Sequence, residues 1–312
     1  MKINDIRDLK NNDYIVLLPD NDYDIRDSVE YSFNNVVYLD YKPQDDEIKI
    51  LIDSINEKNI QLILFDYSEL YRLIIPYIHK NKKVKWILKN DIASMTDGKI
   101  RATYTNLMEF CDRDLIDCIG FLDYGTYKVF EKSKYNTNHI VLDIEEKKAK
   151  KMDSNDIGII GDDYNPNHNI YNELTAVTMA KYDNIKILKN MPATKHFIEF
   201  FNIREKEVST LDEVISNNYV NLYCNFTLTN NELILKSMDQ GIPCILGNTD
   251  IFDNYKYLKE KLVLISDDDV NEIAEKINNI KTNKSKILEE YKKFRKEYKE
   301  KAKETITEFL NE

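Results

Sequence analysis

Glycine is scarce in this sequence, and its scarcity excludes the commonest nucleotide-binding motifs. Only seven of the 312 residues are glycine. Neither a GxGxxG fingerprint nor a GxxxxGKS/T loop occurs, and the stretch “DNDYDIRD” after the first apolar run contains no glycine at all. The first half of the chain is therefore predicted to hold an acceptor or a partner rather than a nucleotide.

Clustered cysteines, excess basic charge and long apolar runs are lacking too. Cys111, Cys118, Cys224 and Cys244 lie apart, which favours reduced, mostly buried thiols over a zinc site or a disulfide framework. The net charge of −11 argues against a nucleic-acid partner. No run approaches the ~20 apolar residues of a membrane span, and the polar start of the chain is unlike a secretory signal. These absences predict a cytoplasmic protein.

Short β-branched runs alternate with helical patterns along most of the chain. The predicted strands are 14–19, 36–41, 60–67, 84–91, 116–123 and 139–144, followed by 157–161, 185–190, 220–227 and 243–247. Such alternation predicts βα units and parallel sheets. The charge-dense stretch “EEKKAKKMDSND” (145–156) lacks apolar periodicity and is predicted to be a linker. We therefore expect two Rossmann-like domains, 1–150 and 151–312, that face each other across a ligand-binding cleft.

A long helical pattern occupies positions 283–311. Its apolar positions recur at helical spacing and form one stripe: Ile287, Leu288, Tyr291, Phe294 and Tyr298. Between positions 281 and 303, ten lysines and arginines outweigh four glutamates, a local charge of +6. Two interpretations stay open. One is a solvated helix that packs onto the body of the protein through its apolar stripe. The other is a basic surface that binds an anionic membrane face or an acidic partner.

The loop after strand 157–161 is one candidate binding site. Gly161 ends the strand, and the Asx-rich loop “DDYNPNHN” leads into a helix, an arrangement that presents backbone N–H groups to a phosphate. The two aspartates of the loop would repel an anion, and the next basic residue is Lys181. His168 would supply a positive charge or a hydrogen bond, unless it is a bystander.

The segment “TLTNNELILKSMDQGIPCILGN” (227–248) is the second candidate. Thr229 and Glu232 fit a capping box, in which each side chain satisfies a backbone N–H group of the other residue. Glu232 and Lys236 have the i, i+4 spacing of a stabilising ion pair. A Gly241–Pro243 turn would end the helix. A structural interpretation of Glu232 and Lys236 therefore competes with a functional one.

Part of this segment resembles a known family. “SMDQGIPCILGNTDIF” resembles the donor-site signature of GT-B glycosyltransferases, the family-4-like retaining enzymes of bacterial surface-sugar pathways, with Gly241, Pro243 and Asn248 at matching positions. “LIDCIGFLDYGTYKVFEK” and “KLVLISDDDVNEIAEKI” are similar to further stretches of that family. The resemblance spans about 115 to 312. It implies the α/β GT-B fold, with a nucleotide-sugar domain in the second half and an acceptor or partner domain in the first.

The resemblance implies transfer of a sugar from a nucleotide-sugar donor to a surface-polysaccharide, lipid-linked or protein acceptor, without a cofactor or metal. The implied donor-binding residues are Gly161, Asn165, His168, Asn230, Asn231, Glu232, Leu233, Lys236 and Asn248. Lys236, His168 and the backbone of 230–233 would hold the diphosphate, and Glu232 would bind the ribose. The run “DDD” (267–269) opens a helix, where carboxylates cap well, and is not predicted to bind a metal.

The sequence also departs from the family. The family has two glutamates, one at the reacting sugar and one on the ribose, and this sequence has Leu228 and Lys236 at those positions. The family's phosphate-neutralising cation has no counterpart in the Gly161 loop of this sequence. The alternative hypothesis is therefore a catalytically degenerate accessory subunit of an active glycosyltransferase. Expected partners are a nucleotide sugar and either such a transferase or a second copy, with peripheral contact at the inner membrane face through the basic helix.

Overall fold

The chain divides into two compact units, described separately below. The first comprises residues 1–145 and 299–312, and the second comprises 146–298. The computed structural model describes residues 10, 13–20, 25–39, 45–92, 97–146, 154–161, 170–189, 192–225 and 231–312. The predicted linker, 145–156, begins where the first unit ends, and its residues 147–153 lie outside the described ranges.

In the first unit, the described residues form a six-stranded parallel sheet in the order β2-β1-β3-β4-β5-β6. Its strands are β1 (Tyr14–Pro19), β2 (Val36–Leu39), β3 (Gln61–Phe65), β4 (Val84–Leu88), β5 (Cys118–Phe121) and β6 (Thr137–His139). Its helices are α1 (Arg26–Ser32), α2 (Asp45–Lys58), α3 (Tyr71–Ile74), α4 (Gly98–Asp112) and α5 (Tyr124–Phe130). Five of the six predicted strands are confirmed in place.

The sixth predicted strand, 139–144, is wrong in position. The strand β6 ends at His139, although the Ile140 N–H still donates to the Phe121 carbonyl of β5 at 2.8 Å. Beyond it, N–H groups of the buried run bind side chains: Val141 donates to Thr305 Oγ1 at 3.1 Å and Asp143 to Ser32 Oγ at 3.3 Å. An apolar pattern indicates that a segment is buried, and this segment is buried by packing against other elements rather than by pairing in a β-sheet.

The two faces of the first sheet pack into two separate cores. Alternate residues of β1 divide between them: Ile15 and Leu17 join one cluster, and Val16 and Leu18 join the other. This period of two on both faces is expected for a parallel strand covered on each side. The second of these clusters also contains Ile306 and Phe309.

In the second unit, the described strands form a parallel sheet in the order β11-β10-β7-β8-β9. They are β7 (Ile157–Ile159), β8 (Asn184–Leu188), β9 (Arg204–Val208), β10 (Val220–Tyr223) and β11 (Cys244–Leu246). The helices are α6 (Ile170–Met179), α7 (Pro192–Phe201), α8 (Leu211–Ile215), α9 (Glu232–Asp239), α10 (Lys256–Leu262) and α11 (Val270–Asn311). The strand β9 was not predicted, because “REKEV” carries the charges typical of an edge strand rather than an apolar pattern.

The helix α11 is longer than the predicted 283–311, and it contributes to both units. Its predicted stripe is confirmed as buried at Ile287, Tyr291, Phe294 and Tyr298, while Leu288 is half-buried. The sequence-based division placed residues 299–312 in the second domain, whereas they pack with the first unit. The reason is that Ile306 and Phe309 enter a core of the first sheet, where the buried Lys85 ammonium donates to the Phe309 carbonyl.

All four cysteines are buried thiols outside any disulfide, as predicted. Burial raises the pKa of the Cys111 thiol to about 12 and shifts the pKa of the other three upward as well. Because the thiolate is the reactive form, these groups are chemically inert at neutral pH. Within the described part of the chain, no helix combines the length and apolar character needed to cross a membrane.

The environment of His139 predicts a pH-dependent stability of the first unit. Its ring lies against Tyr124 and Tyr127, with ring centroids 5.2 and 5.8 Å away, and burial lowers its pKa from 6.5 to about 4. The unfolded chain therefore binds a proton between pH 6.5 and 4 that the folded chain does not, so stability falls as the pH decreases through this window. We expect His139→Gln to flatten that decline in urea titrations followed by fluorescence of Trp86. The control is the exposed His196→Gln, and equal slopes in the two variants would contradict the expectation.

Candidate active site

Both predicted binding segments start at the carboxyl edge of the second sheet. Gly161 follows β7, and the segment before α9 follows β10, which is paired directly with β7. Because parallel strands end at the same edge, ligands of open α/β sheets bind there. Asn165 and His168 lie outside the described residues, as does Asn230. The structure describes the remaining predicted residues, of which Asn231, Glu232, Leu233 and Lys236 cluster at α9.

The N-terminus of α9 begins without a side-chain cap among the described residues. Asn231 precedes the helix, but its side chain makes no capping hydrogen bond, and its Nδ2 donates to Tyr298 Oη at 3.3 Å. Glu232 is the first helical residue, not the third as the predicted capping box requires, and Thr229 lies outside the described residues. The first backbone N–H groups of a helix, with its dipole, form an anion-binding site.

An ion triad of two buried side chains and one half-exposed carboxylate joins α9 to α8. The ammonium of Lys236 lies 2.8 Å from Glu232 Oε1 and 3.1 Å from Asp212 Oδ1. The side chains of Lys236 and Glu232 are 8% and 1% exposed, whereas that of Asp212 is 54% exposed. The predicted Glu232–Lys236 pair is thus confirmed, but with an additional carboxylate. By themselves, one ammonium and two carboxylates sum to a charge of −1, so this triad offers no net positive charge to a phosphate.

The sequence did not single out Asp212, because its partner Lys236 lies 24 residues further along the chain. The helix α8 opens with the capping box that was predicted elsewhere: Thr210 Oγ1 accepts from the Glu213 N–H at 3.2 Å, and Glu213 Oε2 accepts from the Thr210 N–H at 3.1 Å. This reciprocal cap fixes the first turn of α8 and with it the backbone of Asp212. The Thr-x-x-Glu spacing “TLDE” was the available signal.

The C-terminus of α9 is closed as predicted by Gly241. This residue has a φ of 77°, its N–H donates to the Met238 carbonyl at 2.9 Å, and the Ile242 N–H donates to the Ser237 carbonyl at 3.1 Å. These are the two hydrogen bonds of a Schellman motif, whose left-handed position favours glycine. Together with the ion triad, this cap defines both ends of a two-turn helix.

The same helix is anchored to α11 by a buried carboxylate. Asp239 accepts from Arg295 Nε at 3.1 and 3.2 Å and from Tyr291 Oη at 2.6 Å. Both side chains of the ion pair are almost fully buried. Such a hydrogen-bonded pair fixes the orientation of α9 because breaking it would leave a buried charge uncompensated.

A network of buried amides ties α8 and α9 to the strand β10, the neighbour of the central strand β7. Asn221 Nδ2 donates to the Ile215 carbonyl at 2.9 Å and to Ser237 Oγ at 2.8 Å. Asn218 Nδ2 donates to Asn221 Oδ1 at 2.5 Å and to the Val214 carbonyl at 2.6 Å. The two helices that carry the ion triad are thus both bonded to one strand of the sheet.

Two further carboxylates at this edge act structurally. Glu173, fully buried in the first turn of α6, accepts the Cys224 N–H through Oε1 at 2.9 Å. Asp267 accepts the backbone N–H of the predicted site residue Asn248, whose side chain is exposed, and burial raises the pKa of the Asp267 carboxyl. Glu173 was not predicted as a functional or structural residue, although a glutamate on the apolar face of α6 is an unusual choice.

The predicted capping role of the “DDD” run is confirmed at its last residue. Asp269 Oδ1 accepts from the N–H groups of Asn271 and Glu272 at 2.9 and 3.2 Å and so caps α11. In the described ranges, no group of three or more histidine, cysteine, aspartate or glutamate side chains is arranged to hold a metal ion.

No protein-family model and no curated protein matches this sequence. Solved structures do match it in fold. Sucrose-phosphate synthase from Thermosynechococcus elongatus matches with a TM-score of 0.67 and 10% identity, over 96% of this chain and 98% of that one. HepE from Anabaena, in complex with UDP and glucose, matches with a TM-score of 0.63 and 7% identity, over 96% of this chain and 100% of that one. The chain has the GT-B fold.

The GT-B fold is also that of TarM, which matches with a TM-score of 0.66 and 14% identity over 85% of this chain. That match covers 58% of TarM, so this chain spans about three fifths of its length. The predicted architecture of two parallel-sheet domains is therefore confirmed. The low identities make this a likeness of fold.

Proposed function

We propose that this chain is a glycosyltransferase that moves a sugar from a nucleotide-sugar donor to a surface-polysaccharide, lipid-linked or protein acceptor. The observation that carries the proposal is the carboxyl edge of the second sheet. There, within the GT-B fold, the N-terminus of α9 lacks a side-chain cap among the described residues and stands beside a half-exposed, positioned carboxylate. The HepE match, which is a complex with UDP and glucose, supports a nucleotide sugar as the donor.

The ion triad supports a different division of roles from the one the sequence implied. Lys236 is held by two carboxylates, so we assign the diphosphate to backbone N–H groups at the start of α9 rather than to this ammonium. Glu232 is buried, whereas Asp212 keeps half of its surface accessible while Lys236 fixes one of its oxygens. We therefore assign the ribose hydroxyls to Asp212, since a carboxylate accepts hydrogen bonds from both hydroxyls of a vicinal diol. Lys236 is then a positioning residue.

Calorimetric titration of the full chain with UDP, GDP and common UDP-sugars tests the proposal. We expect micromolar binding of one nucleotide class. Asp212→Asn should weaken that binding by about tenfold or more, the usual worth of a hydrogen bond to a charged group. It should also remove the preference for UDP over 2′-deoxy-UDP, which only a contact to the ribose can explain. The matched control is Asp253→Asn, because Asp253 is 51% exposed and bonded to Lys259 in the same unit.

The outcomes distinguish the proposed glycosyl transfer from the proposed role of Asp212. A folded chain that binds none of these nucleotides would contradict glycosyl transfer and leave the accessory-subunit hypothesis, to be pursued by affinity capture of a partner transferase. If UDP binds but Asp212→Asn keeps the preference for UDP over 2′-deoxy-UDP, only the assignment of Asp212 fails.

A further inference from the structure

Four lysines follow one line along α11. Lys292, Lys296, Lys299 and Lys303 are separated by four, three and four residues. At 3.6 residues per turn, this spacing places them on one face of the helix over about 16 Å. Lys299 is half-exposed and the other three are exposed. We call these four residues the lysine stripe.

The lysine stripe makes no ion pair or side-chain hydrogen bond among the residues that the structure describes. Other cations of the same helix do find carboxylates: Lys276 lies 3.3 Å from Glu272, and Lys293 lies 2.7 Å from Glu290. Within the stripe, successive lysines are i, i+4 or i, i+3 neighbours of like charge, which repel each other on a solvated helix. A helix that only needed a soluble surface would mix the two signs along this line.

The residues around the lysine stripe favour a flat anionic surface over a polyanion that wraps around the helix. Tyr291 and Tyr298 occupy the buried side of the helix. The neighbouring exposed flank carries the carboxylates of Glu297, Glu300 and Glu304. A polyanion that wraps around the helix, such as a nucleic acid, would approach these carboxylates, whereas a flat surface touches only one line of a cylinder.

We propose that the lysine stripe docks α11 on the surface of an anionic lipid bilayer. Helices that carry four to eight clustered lysines or arginines bind anionic lipids, and each residue strengthens the binding about fivefold. The long methylene stems of lysine lie along an interface while their ammonium groups meet phosphates. The four charges keep their spacing because they belong to one uninterrupted helix. The inference is independent of the proposed glycosyl transfer.

Vesicle co-sedimentation with the full chain tests the inference. The probes are vesicles of pure phosphatidylcholine and of phosphatidylcholine with about 30 mol % phosphatidylglycerol, a range in which surface charge drives binding. We expect binding to the anionic vesicles alone, and weaker binding at high salt. The variant Lys292→Gln/Lys296→Gln should lower the partition coefficient by about tenfold or more. The control Lys80→Gln/Lys132→Gln makes the same change in net charge at exposed positions of the first unit and should change it less than twofold.

Three results would overturn the inference. One is the absence of binding to anionic vesicles by the folded chain, and another is an equal loss in both double variants, which would reduce the effect to net charge. The third is binding to heparin or a DNA duplex that depends on the stripe while binding to vesicles does not. Circular dichroism of both variants confirms that they are folded, as expected for exposed positions.

Discussion

Replacing Gly158 with alanine is expected to destabilise the second unit by about 3 kcal/mol, the upper end of the usual cost of overpacking a core and a large fraction of the stability of an ordinary domain. A Cβ on this residue, in the middle strand of the sheet, would lie inside the van der Waals contact distance of Asn221 Oδ1 and Asn218 Nδ2 and 2.8 Å from the Val214 carbonyl. These groups form the buried amide network, so they can move only by breaking hydrogen bonds among themselves. Urea denaturation followed by far-ultraviolet circular dichroism measures the loss.

Gly98→Ala is the matched control for this prediction. Gly98 is the first residue of α4, and no atom lies within 4 Å of the position of its Cβ. Alanine there should leave the denaturation midpoint unchanged or raise it slightly. In the background of Asn221→Ala, Gly158→Ala should lower the free energy of unfolding by less, because the amide oxygen of Asn221 no longer lies next to the new Cβ. Equal midpoints for Gly158→Ala and Gly98→Ala would refute the proposed steric conflict.

Lys236→Met is expected to destabilise the chain at neutral pH by about 3–5 kcal/mol, the usual cost of removing one partner of a buried ion pair. The reason is that the substitution removes the ammonium 2.8 Å from the carboxylate of Glu232, whose side chain is 1% exposed. Methionine preserves most of the volume of the lysine stem, so the loss reports charge rather than a cavity. Urea denaturation at pH 7 provides the measurement.

The double variant Glu232→Gln/Lys236→Met separates charge from packing. It removes both buried charges together, and replacing a whole buried pair by neutral groups costs little. We expect it to recover most of the stability lost in Lys236→Met, because Asp212 remains exposed to water. A double variant as unstable as the single one would show that the triad acts through its shape and not through its charges.

The apolar pattern of the sequence predicted most of the fold because it reports burial. Nine of the ten predicted strands coincide with strands of the structure, and the failure at 139–144 is a buried run of which only His139 belongs to a strand. The strand β9 was not predicted because its residues are mostly charged and exposed, so that only its pairing with β8 defines it as a strand. Local spacing also identified the Gly241 turn and the cap at Asp269.

The candidate site was less predictable because its key contacts join distant elements. The Glu232–Lys236 pair follows from helical spacing, but Asp212 meets Lys236 across 24 residues. Glu173 reaches the end of β10 across 51 residues. No local pattern determines which side chains meet at a sheet edge, because that depends on strand order, and the order β11-β10-β7-β8-β9 becomes visible only in three dimensions.

The division of the first unit between two chain segments affects the order in which the protein folds during synthesis. Its last strand ends at His139, yet one of its cores includes Phe309. The ribosome must therefore make the entire second unit, residues 146–298, before the first unit receives this side chain. Until then, the nascent chain exposes the apolar surface around Gly120 that Phe309 later covers. The unit that is translated first is thus completed last, which reverses the usual order of folding from the N-terminus.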